Sequence, residues 1–381
     1  MTAPTTVKAN IGHSLLFVTG TRADYGKLEP LALAAQTAGF EVTFFVTGMH
    51  MLERYGLTKE EVHGRKCFKV IEFINQRYGD PQDVVLCKTI SYFSDLLKEH
   101  KYDLVVVHGD RVEALACALV CATNYVRCAH IEGGEVSGSI DELFRHSVTK
   151  LANIHLVSSP AARERVIRLG EIPRSVFVIG SPELDAHSAE INITLDDVLQ
   201  RYDIQTNNYG ICVFHPVTSE IATLGEQAEA FFESLASSGR YFVVILPNND
   251  PGADLILAVI DKLPRSQFRV LPSMRFHYFS KLMRCARVIV GNSSIGVREA
   301  PFLGVPSLNI GTRQSSRAQS LAVQNCDAFD RANIEIFLSQ NWGRRFERSH
   351  SFGRGKASTA FVQILKDEGI WALSFQKHFS D

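Results

Sequence analysis

Three carboxylates carry the first hint of chemistry. Asp110 follows the apolar run 104–107, Glu132 follows the run 127–131, and Asp141 comes after the Glu132-Gly133-Gly134-Glu135 turn. In an open parallel sheet, ligands bind beyond the carboxyl ends of the strands, so acids placed there in succession point at an active site. Carboxylates held close together push their pKa values apart, which lets one take a proton while another gives one. That arrangement suits proton removal beside a departing group. Glu113, Glu135 and Glu142 compete for the role, although Glu113 reads as helix surface, and Asp141 also suits a helix cap. Metal ligation is the rival use. His108, Asp110 and Glu132 lack any recognised ligand spacing, so no metal is expected.

A second set of residues suits an anion. Gly20-Thr21-Arg22-Ala23-Asp24-Tyr25-Gly26-Lys27 follows the first apolar run, but it matches neither the dinucleotide fingerprint nor the P-loop, because five residues separate the glycines and Leu28 follows Lys27. Asp24 reads as a helix cap, and Arg22 is placed to neutralise a phosphate. Further on, Gly291-Asn292-Ser293-Ser294-Ile295-Gly296 opens a helix, where small residues, free N–H groups and the Ser293 and Ser294 hydroxyls make an anion cradle. Glu299, about a turn in, is expected to accept hydrogen bonds from ribose hydroxyls. Arg313, in Gly311-Thr312-Arg313, adds a cation to the same edge, and His215 with Pro216, Asn248 and Asp250 end neighbouring strands.

The elements that must position these groups follow a simple rhythm. Apolar runs at 15–18, 41–46, 104–107, 127–131, 154–157 and 175–179 alternate with helical patterns at 24–37, 81–99, 111–124, 141–152 and 160–168. After a break at 180–208, the best candidate linker, the alternation resumes: strands at 210–214, 241–246, 269–271, 288–290 and 307–310 with helices at 222–237, 254–261, 277–286 and 296–302. Strand and helix in alternation predict right-handed crossovers and parallel sheets, here twice over, so the expected fold class is α/β with two doubly wound domains. The expected boundaries are 1–185, 186–358, and a C-terminal helix and tail, 359–381, whose Trp371, Phe375 and Phe379 pack across the lobes or onto the first. A chain of 381 residues is long enough for two such cores.

Forty basic against forty-one acidic side chains and a pI near 6.9 argue against nucleic acid or an acidic membrane face as partner. No apolar run reaches the roughly 20 residues of a membrane span, and residues 1–14 lack a secretory pattern, so a cytoplasmic protein is expected. The eight cysteines form no CxxC pair. Cys117 and Cys121, four apart on a helix, read as core.

Taken in order, VTGTRADYGKLEPL, VTGMHM, HGDRVEAL, HIEGGEVSG, DELFRHSVTKL, GSPELD, FHPVT, PNNDPG, GNSSIGVREAP and GTRQSSR resemble the hydrolysing UDP-N-acetylglucosamine 2-epimerases of sialic acid biosynthesis. The resemblance implies the two-lobed glycosyltransferase-B architecture, with Rossmann-like domains facing across a cleft that holds UDP. It implies that Arg22, the backbone at Gly26, Arg111, His215, Asn248, the backbone near Met274, Ser293, Ser294, Glu299 and Arg313 bind the UDP-sugar, and that Asp110, Glu132 and Asp141 are catalytic. It implies no cofactor and a homo-oligomer, dimer or tetramer. The reaction would eliminate UDP to a glycal and hydrate it, giving N-acetylmannosamine. One departure stands out: Asp141-Glu142-Leu143-Phe144-Arg145-His146 occupies the place of the family's Asp-Asp-Ser-Ile-Arg-His, which changes the wall beside the acid. UDP-2,4-diacetamido-trideoxy sugars, used for legionaminic acid, are therefore the alternative substrate, and a glycosyltransferase of the same fold is the alternative enzyme.

Overall fold

The computed structural model describes residues 12–137, 141–188, 192–247, 250–314 and 320–378. The chain divides into two compact units. One runs to Glu135, resumes over Asp141–Asp185 and takes back the chain from Gly353; the other is built on Ala186–Phe352.

Unit 1 holds a parallel sheet of seven strands: β1 (Ser14–Thr19), β2 (Glu41–Val46), β3 (Lys69–Glu72), β4 (Leu104–His108), β5 (Cys128–Ile131), β6 (Ile154–Val157) and β7 (Val176–Val178), in the order β3-β2-β1-β4-β5-β6-β7. Strands such as Leu104–His108 (LVVVH) are apolar on both faces because both faces are covered by helices. Leu15, Phe17, Phe44 and Val106 join one core cluster, while Leu16, Val18, Phe45, Val105 and Val107 join another. Each buried side chain of this size contributes roughly 1.5–3 kcal/mol. The order of strands reverses at β1 and β4, the switch point where such sheets take ligands.

Unit 2 repeats the design with β8 (Tyr209–Val213), β9 (Tyr241–Ile245), β10 (Phe268–Leu271), β11 (Ile289–Gly291), β12 (Ser307–Ile310) and β13 (Val323–Cys326), in the order β10-β9-β8-β11-β12-β13. Its switch point lies at β8 and β11. All register pairs are parallel, as the alternation predicts.

Some elements depart from expectation. β3 and β13 are edge strands with little apolar patterning, and the stretch expected as a linker forms the helices Glu183–Ser188 and Leu195–Tyr202. The chain re-enters unit 1 at Gly353, where Ala357, Phe361 and Leu365 of the helix Ala357–Leu365, with Ile370 and Leu373, enter the first core cluster. Arg127 donates to the Trp371 carbonyl and lies 4.7 Å from the Phe375 ring centre, while His13 stacks on Trp371 at 3.9 Å. Phe379 lies outside the described residues. Among the described residues no helix is long and apolar enough to cross a membrane, and all eight cysteines are free, with Cys117 and Cys121 buried.

Candidate active site

In unit 1 the acids stand at the carboxyl ends of adjacent strands. After β4 the chain turns through Gly109, at φ +69°, to Asp110 and Arg111, which precede the helix Val112–Thr123. After β5 it turns through Glu132 itself, whose φ of +64° is left-handed, a strain of about 1–3 kcal/mol for a residue with a side chain. The two glycines behind it are required by space. A Cβ on Gly133 would stand 2.9 Å from His130 Nδ1, and one on Gly134 would collide with the Ala162 carbonyl. Asp141 is the first residue of the helix Asp141–Leu151, which packs against the helix Val112–Thr123.

Each acid is held differently. Asp110 forms an ion pair with Arg145, itself only 2% exposed, whose other amino group donates to the Glu135 carbonyl at 2.8 Å. Glu132, its side chain 4% exposed, accepts from Lys27 Nζ at 2.9 Å and from Ser181 Oγ, and meets His108 Nε2 at 3.0 Å. Lys27 also reaches Glu183 at 3.3 Å. Asp141 is half-buried. Of the competing acids, Glu142 meets His146 at 3.8 Å, and Glu135 accepts from Ser158. Glu113 corrects its expectation as helix surface: it is 1% exposed, accepts from Arg111 Nε at 3.2 Å, and packs on Gly20, where a Cβ would stand 3.2 Å from its carboxyl carbon.

His130 is a strut beneath these groups. Its Nε2 donates to the Gly109 carbonyl at 2.7 Å and its Nδ1 meets Thr149 Oγ1 at 3.0 Å, so one ring ties β5 to the turn before Asp110 and to the helix of Asp141. Burial pushes its pKa down to about 3, so the ring stays neutral and fixed at ordinary pH.

The loop after β1 is less open to phosphate than its sequence suggests. Thr21 is the N-cap of the helix Arg22–Thr37, and Asp24 closes the capping box: it accepts from the Gly20 N–H at 3.0 Å and the Thr21 N–H at 2.9 Å. Arg22 forms a fork with Glu61, Nε to Oε2 at 3.0 Å. Gly26 lies in the second turn, beyond the helix's unpaired N–H groups, so it offers close approach rather than a free donor.

In unit 2, His215 follows β8 and Asn292 follows β11. The Asn292 amide brackets the His215 main chain, accepting from its N–H at 2.6 Å and donating to its carbonyl at 2.8 Å. Gly291, at φ +127°, allows this approach, since a Cβ there would strike the Val213 carbonyl. Burial, reinforced by the nearby Arg313, pushes the His215 pKa down to about 3. Arg313 and Gln314 both donate to the Asn292 carbonyl, at 3.4 and 3.2 Å. The expected single helix over 296–302 is instead two short ones, Ser294–Val297 and Glu299–Leu303, broken at Arg298, so its dipole is slight and the cradle depends on individual groups. Ser293 is the N-cap, yet its side chain makes no capping bond; Ser294 is half-buried. Glu299 is 6% exposed and bonded to His187, and the Met274 side chain is buried in the core, leaving only its main chain to a ligand. Asn248 lies outside the described residues.

Lys27, His130, Arg145, Ser181 and His187 were not singled out from the sequence. Arg145 was within reach: four residues after Asp141 on one helix, it must share a face with it.

The family model described as UDP-N-acetylglucosamine 2-epimerase matches residues 32–366. A Neisseria meningitidis UDP-N-acetylglucosamine 2-epimerase is 40% identical over 96% of this chain and 98% of its own length. The polysialic acid biosynthesis protein P7 of Escherichia coli is 31% identical over 93% of each, and the hydrolyzing UDP-N,N'-diacetylbacillosamine 2-epimerase of Legionella pneumophila is 30% identical over 93% and 96%. Among solved structures, the Methanocaldococcus jannaschii UDP-GlcNAc 2-epimerase in complex with UDP-GlcNAc and UDP superposes with a TM-score of 0.78 at 19% identity, covering 92% of this chain and 99% of that one. A Staphylococcus aureus MnaA-UDP co-structure gives 0.77 at 18%, covering 97% and 100%. The fold is the two-domain glycosyltransferase-B type.

Proposed function

Because the chain belongs to the UDP-N-acetylglucosamine 2-epimerase family, we propose that it is the hydrolysing form, which turns UDP-N-acetylglucosamine and water into N-acetylmannosamine and UDP for sialic acid synthesis. The observation that carries this reading is the row of acids at the carboxyl ends of β4 and β5 and at the start of the following helix, with cations and hydroxyls set against two of them. Two relatives are hydrolyzing enzymes by name, at 30% and 27% identity, and a third, at 31%, is a polysialic acid biosynthesis protein; these support the hydrolysing branch and the capsule setting.

In this mechanism a carboxylate takes the proton from C2 while the C1–O bond breaks and UDP leaves with the electron pair, giving a glycal. Water then adds at C1 and a proton returns to the other face of C2. The C2 hydrogen is weakly acidic, so stabilising the departing diphosphate supplies much of the drive. We assign the holding of the diphosphate to His215, Ser293, Ser294 and Arg313 of unit 2, the stabilisation of its departure to Arg22 and Arg111 of unit 1, and proton transfer to Asp110, Glu132 and Asp141. Glu132 already accepts from Lys27 and Ser181, so we assign it the holding of substrate or of a proton in transit, and the two transfers at C2 to Asp110 and Asp141. The enzyme is read as cytoplasmic and self-associating.

The test is incubation with UDP-GlcNAc in D2O. The expected products are UDP and N-acetylmannosamine with deuterium at C2. UDP released without C2 exchange sinks the elimination, UDP-N-acetylmannosamine as product indicates the non-hydrolysing form, and turnover only with an added acceptor indicates a glycosyltransferase. One observation favours the second substrate, UDP-N,N'-diacetylbacillosamine: two relatives, at 30% and 27% identity, carry hydrolyzing N,N'-diacetylbacillosamine 2-epimerase in their names. Parallel assays with both sugars decide.

A further inference from the structure

In unit 2, His187 is 1% exposed, and its ring is held at both nitrogens. Nδ1 lies 2.7 Å from Ser280 Oγ on the helix Phe276–Cys285, and Nε2 lies 2.8 Å from Glu299 Oε1 at the start of the helix Glu299–Leu303. The Phe276 ring packs beside the imidazole, 5.1 Å between centres. Serine, histidine and glutamate in line suggest a nucleophile relay, but Ser280 is 0% exposed, so no substrate reaches its hydroxyl. The line runs the other way, from a buried anchor out to Glu299. A carboxylate oxygen only accepts, so the N–H stands on Nε2; Ser280, donor and acceptor alike, holds the far side of the ring. With Oε1 fixed, the whole carboxylate is fixed, and its second oxygen is oriented with it.

We propose that His187 is a positioning residue that locks the Glu299 carboxylate to accept the hydroxyls of a ribose, and so makes the site select ribonucleoside over deoxyribonucleoside diphosphates. This rests on the reading of Glu299 as the ribose acceptor. A carboxylate held in one orientation rejects an analogue lacking a hydroxyl, because its oxygen is then desolvated without a donor; a carboxylate free to turn finds water or another donor instead. Loss of the lock therefore reduces discrimination more than it reduces binding as such.

The experiment is calorimetric titration of the full chain with UDP, 2′-deoxy-UDP and 3′-deoxy-UDP. The wild type is expected to favour UDP over at least one deoxy analogue by roughly tenfold or more, the scale of a hydrogen bond to a charged group. His187→Asn, whose amide is too short to reach Glu299, should cut that ratio to below about threefold, while His187→Gln, with its amide nitrogen near the place of Nε2, should keep most of it. A full ratio retained in His187→Asn overturns the proposal. Should that variant not fold, Ser280→Ala, which frees the ring's other nitrogen, must lower the ratio severalfold, and an unchanged ratio there overturns the proposal equally. If the wild type shows no preference, or Glu299→Gln keeps it, the ribose reading of Glu299 fails instead, whatever His187 does.

Discussion

At the candidate site of unit 1, acids are held by long cationic side chains from other elements: Lys27 on Glu132 and Glu183, Arg145 on Asp110, Arg22 on Glu61. At the edge of unit 2, the holding is done close to the main chain, by an asparagine amide bracketing His215, a glycine that lets two strand ends touch, and two side chains that converge on one carbonyl. The difference follows from the chemistry assigned to each. Proton transfer needs a carboxylate fixed to within tenths of an ångström, which only directional partners provide. Anion binding needs donors at short range and room to approach them, which bare backbone provides. Substitutions in unit 1 should therefore reduce turnover, and those in unit 2 affinity.

The largest effect expected is in unit 1. Asp110→Asn and Asp141→Asn should each lower the rate of UDP release by about 10²–10⁴ while UDP affinity, measured by calorimetry, stays within about twofold. A variant with unaltered turnover removes that residue from the mechanism, and one that loses UDP binding instead dissolves the contrast between the edges. Next in size, Arg145→Met should lower kcat by about tenfold to a hundredfold without changing UDP affinity, since it removes the partner that aims Asp110. Unchanged kcat would show that Asp110 keeps its place without the clamp.

Acid should separate the units by stability. Burial lowers the pKa values of His50, His130 and His155 in unit 1, against His215 in unit 2. Below their ordinary 6.5 an unfolded chain takes up protons that these rings refuse, so the stability is present above that value and is lost as pH falls below it, down to about 3 for His130 and His215. For His130 the loss is about 2 kcal/mol at pH 5. Glu171, also in unit 1, works in the same direction at lower pH. Burial opposes its charge, but His155, Lys150 and Lys377 outweigh that and hold it at about 2, so its contribution is present above the ordinary 4.5 and fades as pH falls through about 2. Hydrogen exchange at pH 7 and pH 5, corrected for intrinsic rates, should show β5 and β6 losing protection before β8 and β11. Equal loss in both sheets would contradict the assignment of these buried groups as the acid-sensitive ones.

A smaller effect is expected from Arg313→Met: UDP affinity about tenfold weaker and more so at low salt, with kcat at saturation little changed. A fall in kcat with affinity intact would move Arg313 from holding the diphosphate to stabilising its departure.

The same contrast explains what was legible in the sequence. Strands buried on both faces, such as Leu104–His108 and Tyr209–Val213, declare themselves as apolar runs, and so did the acids and glycines that end them. The edge strands Lys69–Glu72 and Val323–Cys326 have one covered neighbour and no such pattern, and the stretch 180–208, whose glycine, proline and polar residues read as a linker, carries two helices, the second marked by the Thr194–Asp197 capping box and Leu195, Val198, Leu199 and Tyr202 at helical spacing. The clamps were less visible still. Lys27 and Glu132 are 105 positions apart and His187 and Glu299 are 112, so nothing local marks either pair. Pro301 marks the break at Arg298: it has no N–H for the Val297 carbonyl and its ring clashes there, so it suits the first turn of a new helix and not the interior of one.

The finest discrimination concerns the residues beside Asp141. Leu143 is 64% exposed on the helix Asp141–Leu151, and Glu142, a third exposed, points its carboxylate towards His146. Leu143→Ser restores a hydroxyl to the wall, which should shift the ratio of kcat/KM for UDP-GlcNAc over UDP-N,N'-diacetylbacillosamine by a fewfold towards the sugar that keeps its C6 hydroxyl. The expected shift is small because a side chain this exposed contributes only part of the roughly 1–3 kcal/mol that a buried methylene can. Competition between the two sugars in one reaction, read by mass of the products, measures it without a separate KM. An unchanged ratio would place the sugar-reading wall elsewhere, and a shift of a hundredfold would mean that Leu143 is covered by the substrate itself.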